Sequence, residues 1–130
     1  MRRYLLVLLC LVSFCGCQDK KGIKERSVYP AIGLATWYNP RLTASGERYQ
    51  PGEFSCAMRR RGFGKNYLVC NMDNNRCVEV RHNDFGPSFF LFMMGRIIDL
   101  SENAFSEISS TRRGVVRVRV GEIHSGQIDY

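Results

Sequence analysis

The sequence predicts a small all-β domain, and three observations carry that prediction. From Tyr29 onward the chain consists of short runs rich in aromatic and β-branched residues. Gly, Pro, Asn and Asp break those runs at short intervals, which is the chemistry of tight turns. Helical spacing of apolar residues occurs over one short stretch only. Many short strands with a single helical turn favour a barrel, which buries one face of every strand.

Taken in order, Ile32 to Tyr38 reads as the first strand. Tyr67 to Asn71 and Arg76 to His82 flank Met72-Asp73-Asn74-Asn75, and Asp and Asn tolerate the left-handed geometry of a hairpin turn. A turn centred on Asp73 and Asn74 sets Cys70 directly opposite Cys77. Cβ atoms of facing residues lie about 4.5 to 5.5 Å apart, slightly wider than a disulfide prefers, so a modest adjustment closes the bridge. Ser101 is the N-cap of the helical stretch, with Ala104, Phe105 and Ile108 on one face. Val115 to Val120 alternates valine with arginine, one face buried and the other wet.

The N-terminal residues read differently. Arg2 and Arg3 precede the apolar run Leu5 to Phe14, and small residues lead to Cys17, the layout of a secretory signal over residues 1–16. The run is about half of the roughly 20 residues that span a bilayer. Phe14-Cys15-Gly16-Cys17 resembles a bacterial lipobox, which implies lipidation of Cys17; an ordinary export signal with an unmodified cysteine is the other reading. Gln18, not aspartate, follows Cys17, which for such lipoproteins suggests the outer membrane. Export also favours the Cys70 to Cys77 bridge, because the compartment is oxidising. Cys56 is then left over, as a small buried hydrophobe or a thiol whose activating base the sequence does not identify.

Residues 17–28 are polar and aperiodic, a flexible tether. The domain is expected over residues 29–124 and a C-terminal tail over 125–130. Removing residues 1–16 takes Lys plus Arg from 19 to 17 against 12 acidic residues, and the net charge from +7 to +5. A basic surface in the envelope suits anionic wall polymer or lipid head groups, or solvation alone. Export argues against nucleic acid. Two histidines and no cluster with ligand spacing argue against a metal, and no cofactor is expected.

Four blocks occur in order: Gly33-Leu34-Ala35-Thr36-Trp37-Tyr38, Thr43-Ala44-Ser45-Gly46-Glu47, Asn83-Asp84-Phe85-Gly86-Pro87 and Gly95-Arg96-Ile97-Ile98-Asp99-Leu100-Ser101. Together they resemble the rare lipoprotein A family, and the likeness runs from about Ile32 to Ile123. The resemblance implies a small six-stranded double-psi β-barrel with one or two short helices, related to the expansin N-terminal domain. It also implies action on peptidoglycan glycan strands, by lytic transglycosylases that cut preferentially where stem peptides have been removed. Division-site or other envelope proteins are the further partners implied, and the chain is expected to be a monomer.

Two catalytic positions of the family carry over. The aspartate of its Asp-Arg-Gly-Pro motif falls on Asp84, with Phe85 in place of the arginine. The histidine position falls on Met58, a register that Phe63-Gly64 supports; methionine exchanges no proton. His82 stands two residues before Asp84, on the same strand face if alternation holds, and is either a substitute partner or a strand histidine without that role.

Glycosidases usually need two carboxyl groups. A lytic transglycosylase needs one, since the muramyl residue's own hydroxyl attacks the anomeric carbon. Asp84 fits that single acid, provided that apolar neighbours (Phe85, Phe89, Phe90) or a nearby carboxylate (Glu47, Asp99) keep it protonated. The same Asn-Asp-Phe-Gly-Pro block is also good turn chemistry. Asp99 reads equally as a group satisfying N–H donors at the helix start, and Glu47 as a cap on the Ser45-Gly46 turn. Trp37 and Tyr38 are candidates for stacking sugars; alternation lets one face the groove, and Tyr38 is preferred. Arg59, in Arg59-Arg60-Arg61, is a candidate contact for anionic glycan, against a solvated loop as the alternative. A noncatalytic glycan-binding module and a structural envelope lipoprotein stand beside the enzyme, both favoured by Met58.

Overall fold

The computed structural model describes residues 31–50 and 52–130. The signal over residues 1–16, the lipidation site Cys17 and the tether over residues 17–28 lie outside the described residues. Seven strands and two short helices follow in order. β1 is Ile32–Tyr38, β2 Ser55–Met58, β3 Asn66–Asn71 and β4 Cys77–Asp84. Helix α1 is Phe89–Met93, β5 Arg96–Ser101 and α2 Glu102–Ile108. A 3₁₀ turn at Thr111–Arg113 leads into β6, Val115–His124, and β7 is Gln127–Asp129.

The sheet order is β1-β5-β2-β4-β3-β6-β7, and β1 also pairs with β6. That last pairing closes six strands into a barrel, as expected. β7 stands outside the ring, so the residues expected as a tail carry a short strand on the end of β6. Two pairs in the ring are parallel, β1 with β5 and β2 with β4, and the other four are antiparallel.

Local chemistry accounts for the elements. In the β3–β4 hairpin, Asn71 and Asn74 accept from the N–H groups of Asp73 and Arg76 through their side chains, and Asn75 takes the left-handed conformation, φ 59°. Register follows: Val69 faces Val78 and Cys70 faces Cys77, which are disulfide-bonded with Cα atoms 4.0 Å apart. Along β6, Val116, Val118 and Val120 enter the core while Arg117 and Arg119 stay wet. β1 and β5 approach closely at Gly33, where a Cβ would lie 2.7 Å from Ile97. Ser101 is the N-cap of α2, but its hydroxyl does not cap: it donates to Glu53 O and accepts from Ser55 N, tying β5 to the entry of β2.

β2, β5 and α1 are the elements that pattern alone leaves unassigned. All four residues of β2 are buried, and five of the six in β5, so neither alternates in hydrophobicity. Helix α1 buries none of its residues and has no amphipathic stripe. The core joins Tyr67, Val69, Val80, Ile98, Leu100 and Val118 with Ala104, Phe105 and Ile108 of α2.

Candidate active site

The site forms where β4 ends against β2, β5 and β1. Register brings four residues into one row across four adjacent strands: Thr36 pairs with Asp99, Asp99 with Ala57, and Ala57 with Asp84. Two carboxylates thus flank one alanine. Strand spacing puts their backbones about 10 Å apart. The chain after β4 folds back over the alanine, since a Cβ on Gly86 would sit 3.3 Å from Ala57 Cβ and 3.4 Å from Asp99 Oδ2.

Asp84 is 8% exposed. Its Oδ1 accepts from the backbone N–H groups of Ala44 and Phe85, both at 2.8 Å. Its Oδ2 accepts from the Tyr38 hydroxyl at 2.8 Å. Each carboxylate oxygen offers two acceptor sites, so Oδ1 is full and Oδ2 keeps one open. Asp84 makes no ion pair among the described residues. Burial, and then the bond to Asp84, push the Tyr38 hydroxyl far above its ordinary value. Tyr38 is therefore a donor that fixes the carboxylate, not a base.

The other candidate carboxylates are committed to arginines. Glu47 takes both guanidinium nitrogens of Arg81, Nη1 to Oε1 at 2.9 Å, and accepts from Asn83 Nδ2 at 3.2 Å. Those bonds, Arg81 first, hold its carboxyl below the usual range. It anchors the strand that carries Asp84, and its role as a cap on the Ser45-Gly46 turn passes to its backbone carbonyl, which accepts from Thr43 N and Oγ1 at 3.0 Å. Asp99 Oδ1 is taken by Thr36 Oγ1 at 2.7 Å and Arg96 Nε at 2.8 Å. The expectation that Asp99 serves the helix start is corrected: it lies within β5, two residues before the cap, and its carboxylate turns across the sheet.

His82 does not reach the cleft. The pairing of β2 with β4 slips between Cys56 and Ala57, passing over Asn83, and this bulge breaks the alternation on which the shared face depended. His82 is 0% exposed, packed against Phe63, Tyr67 and Phe85. Its Nε2 faces the backbone carbonyls of Asp84 at 2.9 Å and Met58 at 3.3 Å, so that nitrogen carries the proton. Burial lowers its pKa, against those two bonds. Met58 is wholly buried in the core, so its position too contributes no side chain to the cleft.

Among the stacking candidates, Trp37 turns inward and donates Nε1–H to Thr111 O at 3.0 Å, while Tyr38 turns to Asp84. Phe85, Phe89 and Phe90 are exposed, so they do not enclose Asp84 as expected. Arg59 donates to Pro87 O at 3.2 Å and lies over Phe89, against the loop that follows Asp84. Cys56 is buried and its thiol is pushed strongly up by that burial, which suits packing and not nucleophilic attack. Thr36, Arg81 and Arg96 are partners that sequence reasoning missed; for Asp99, which is buried, the available signal was that a buried charge requires a partner.

A sequence profile described as "Lytic transglycolase" matches residues 31–120, the span that carries the ring of six strands. The chain belongs to this family. Lytic transglycolase relatives named endolytic peptidoglycan transglycosylase RlpA occur in several bacteria. That of Haemophilus influenzae is 39% identical over 108 residues, 80% of this chain and 36% of the relative. The Pasteurella multocida protein is 43% identical over 101 residues, 75% of this chain and 33% of its own length. The Campylobacter jejuni protein is 34% identical over 116 residues, 80% of this chain and 41% of its own. The chain thus spans well under half the length of these relatives. Among solved structures, Streptomyces papain inhibitor superposes with a TM-score of 0.54 at 22% identity, over 68% of this chain and 90% of that one, a likeness of fold. The expected rare lipoprotein A likeness and its double-psi β-barrel hold.

Among the described residues no helix is long and apolar enough to cross a membrane, and no group of three or more His, Cys, Asp or Glu is placed to hold a metal.

Proposed function

We propose that this protein cleaves peptidoglycan glycan strands as a lytic transglycosylase, with Asp84 as the single acid and base. The observation that carries the reading is the contrast among the three carboxylates: Glu47 and Asp99 are held by Arg81 and Arg96, whereas Asp84 is held by neutral donors alone. With Oδ1 saturated, the proton to be transferred belongs on the open site of Oδ2. Asp84 gives that proton to the leaving glycosidic oxygen as the bond from the muramyl anomeric carbon breaks. It then takes the proton of the muramyl 6-hydroxyl, whose oxygen bonds to the same carbon and closes the anhydro ring. No water is consumed, and Asp84 ends protonated as it began.

Tyr38 orients the carboxylate through its hydroxyl. Arg81, Glu47 and Asn83 brace the strand end. His82, neutral and donating to the Asp84 carbonyl, holds the backbone of the acid; its place in the mechanism is positional. In this reading the protein resides in the cell envelope, bound through lipid on Cys17, with residues 17–28 as the reach between membrane and wall and the outer membrane as its site.

A second reading is a glycan-binding or structural module without catalysis, and Met58 favours it, because the residue at the family's histidine position carries no proton. The assay separates them. Protein lacking residues 1–17 is incubated with denuded peptidoglycan, and products are followed by mass. Release of anhydro-ended fragments by wild type and none by Asp84→Asn supports catalysis. Binding by both without product removes the enzyme and leaves the module.

A further inference from the structure

Phe85, the residue after Asp84, lines a surface cavity of about 500 Å³ together with Arg59, Arg60 and Arg61. The proposed chemistry leaves this cavity unused, and its make-up is unlike that of the acid's own cradle. Three consecutive arginines supply its polar wall, and none of its lining residues among those described is acidic. Clefts lined by one sign of charge concentrate ligands of the other sign, and a guanidinium fork matches a carboxylate in shape as well as charge.

The loop that presents these cations is braced. Arg59 donates to Pro87 O at 3.2 Å with its guanidinium over Phe89. Arg60 pairs with Glu122 at 3.4 Å and lies over Tyr67. Arg61 is exposed and forms no ion pair among the described residues. The fourth wall is Phe85, whose ring packs against Phe63 and is 55% exposed. That ring offers an apolar face of the kind on which a pyranose packs. Phe85 follows Asp84 directly, so its Cα stands about 3.8 Å from that of the acid.

We infer that this cavity is an anion subsite, taking the carboxylate borne on the muramyl 3-substituent of the glycan strand while the sugar ring packs on Phe85. The inference rests on the peptidoglycan reading above and adds a charge requirement to it. The carboxylate has two sources: the free lactyl group of a strand without stem peptides, or the acidic residues of a stem peptide.

The test uses the full chain in mild nonionic detergent, carrying Asp84→Asn to stop turnover, with affinities taken by calorimetry. Three probes of equal length are compared: denuded glycan, peptide-bearing glycan, and chitin oligosaccharide, which has no carboxylate. One or both anionic probes are expected to bind at least about tenfold tighter than chitin, and Arg61→Gln to abolish that difference while leaving chitin unchanged. Arg61→Lys, keeping charge without the fork, restores part of it. Preference for denuded glycan assigns the lactyl carboxylate, and preference for peptide-bearing glycan the stem. Equal affinity for chitin, an Arg61→Gln loss shared by all three probes, or binding to anionic phospholipid vesicles with none to glycan overturns the subsite. Selective anionic binding together with no anhydro product from wild type leaves the subsite standing and removes the transglycosylase.

Discussion

Tyr38 donates its hydroxyl to Oδ2 of Asp84 across 2.8 Å, from the end of β1 to the end of β4. Two backbone N–H groups hold the other oxygen, so this hydroxyl is the side-chain bond that sets the direction of the open lone pair. Tyr38→Phe removes it without emptying the space. We expect kcat on denuded glycan to fall about tenfold with KM little changed, the mark of an interaction that matters in the transition state. A change in KM alone would make Tyr38 a binding residue.

Glu47→Gln distinguishes an anchor from an acid. As an anchor for Arg81 and Asn83, its loss gives partial activity and an unchanged shape of the pH–rate profile; complete loss would place Glu47 among the proton-transfer groups. Stability supplies a second readout. The folded pKa of Glu47 lies below its ordinary value, so the ion pair stabilises fully above about pH 4.5 and is lost as pH falls through the lowered value. The Tm of Glu47→Gln should therefore lie below wild type near about pH 7, and the gap should close toward about pH 3.

His82 gives the domain a second acid sensitivity, in a higher window. Its folded pKa lies below the ordinary 6.5 because it is buried. As pH drops below about 6.5, the unfolded chain takes up a proton that the folded one refuses. Stability is full above that point and declines as pH falls through the folded value. Denaturant titrations from about pH 7.5 to 5 should show a steeper loss for wild type than for His82→Gln, which keeps a donor near the two carbonyls and does not titrate.

The Cys70–Cys77 bridge closes a short loop, with a sequence separation of 7. Loop-closure entropy for so small a ring gives about 2.5 kcal/mol. Reduction, or Cys70→Ser with Cys77→Ser, should lower stability by about that amount. Alkylation after reduction should modify these two thiols, and Cys56 only on unfolding, since it is wholly buried. Mass spectrometry on protein lacking residues 1–17 reads both outcomes.

Much of the fold is legible where one face of a strand is wet. β1, the hairpin and β6 announce themselves through Ile32 to Tyr38, the Asp-Asn turn and the valine-arginine alternation. β2 and β5 do not, because a strand buried along nearly its whole length has no period to read. In the candidate site, Asp84 is singled out by the family motif and Tyr38 by alternation, but the bond between them is not legible in the sequence. The failure at His82 has one cause: counting by two assumes an unbroken pleat, and a single skipped residue, Asn83, sends the histidine inward while the Asp84 carboxylate turns to Tyr38 and the Ala44 N–H. The arginine partners of Glu47 and Asp99 come from other elements or depend on side-chain direction, which a linear pattern does not encode.

β6 joins β1 along its first half and β3 along its second, and it is the last strand of the ring in chain order. As the polypeptide emerges, β1 and β3 must wait with bare hydrogen-bonding edges until residues 115–122 arrive. A single late segment therefore latches both sides at once. A stop anywhere before Val115 would leave not a smaller barrel but an open sheet with two adhesive margins, prone to pairing with other chains.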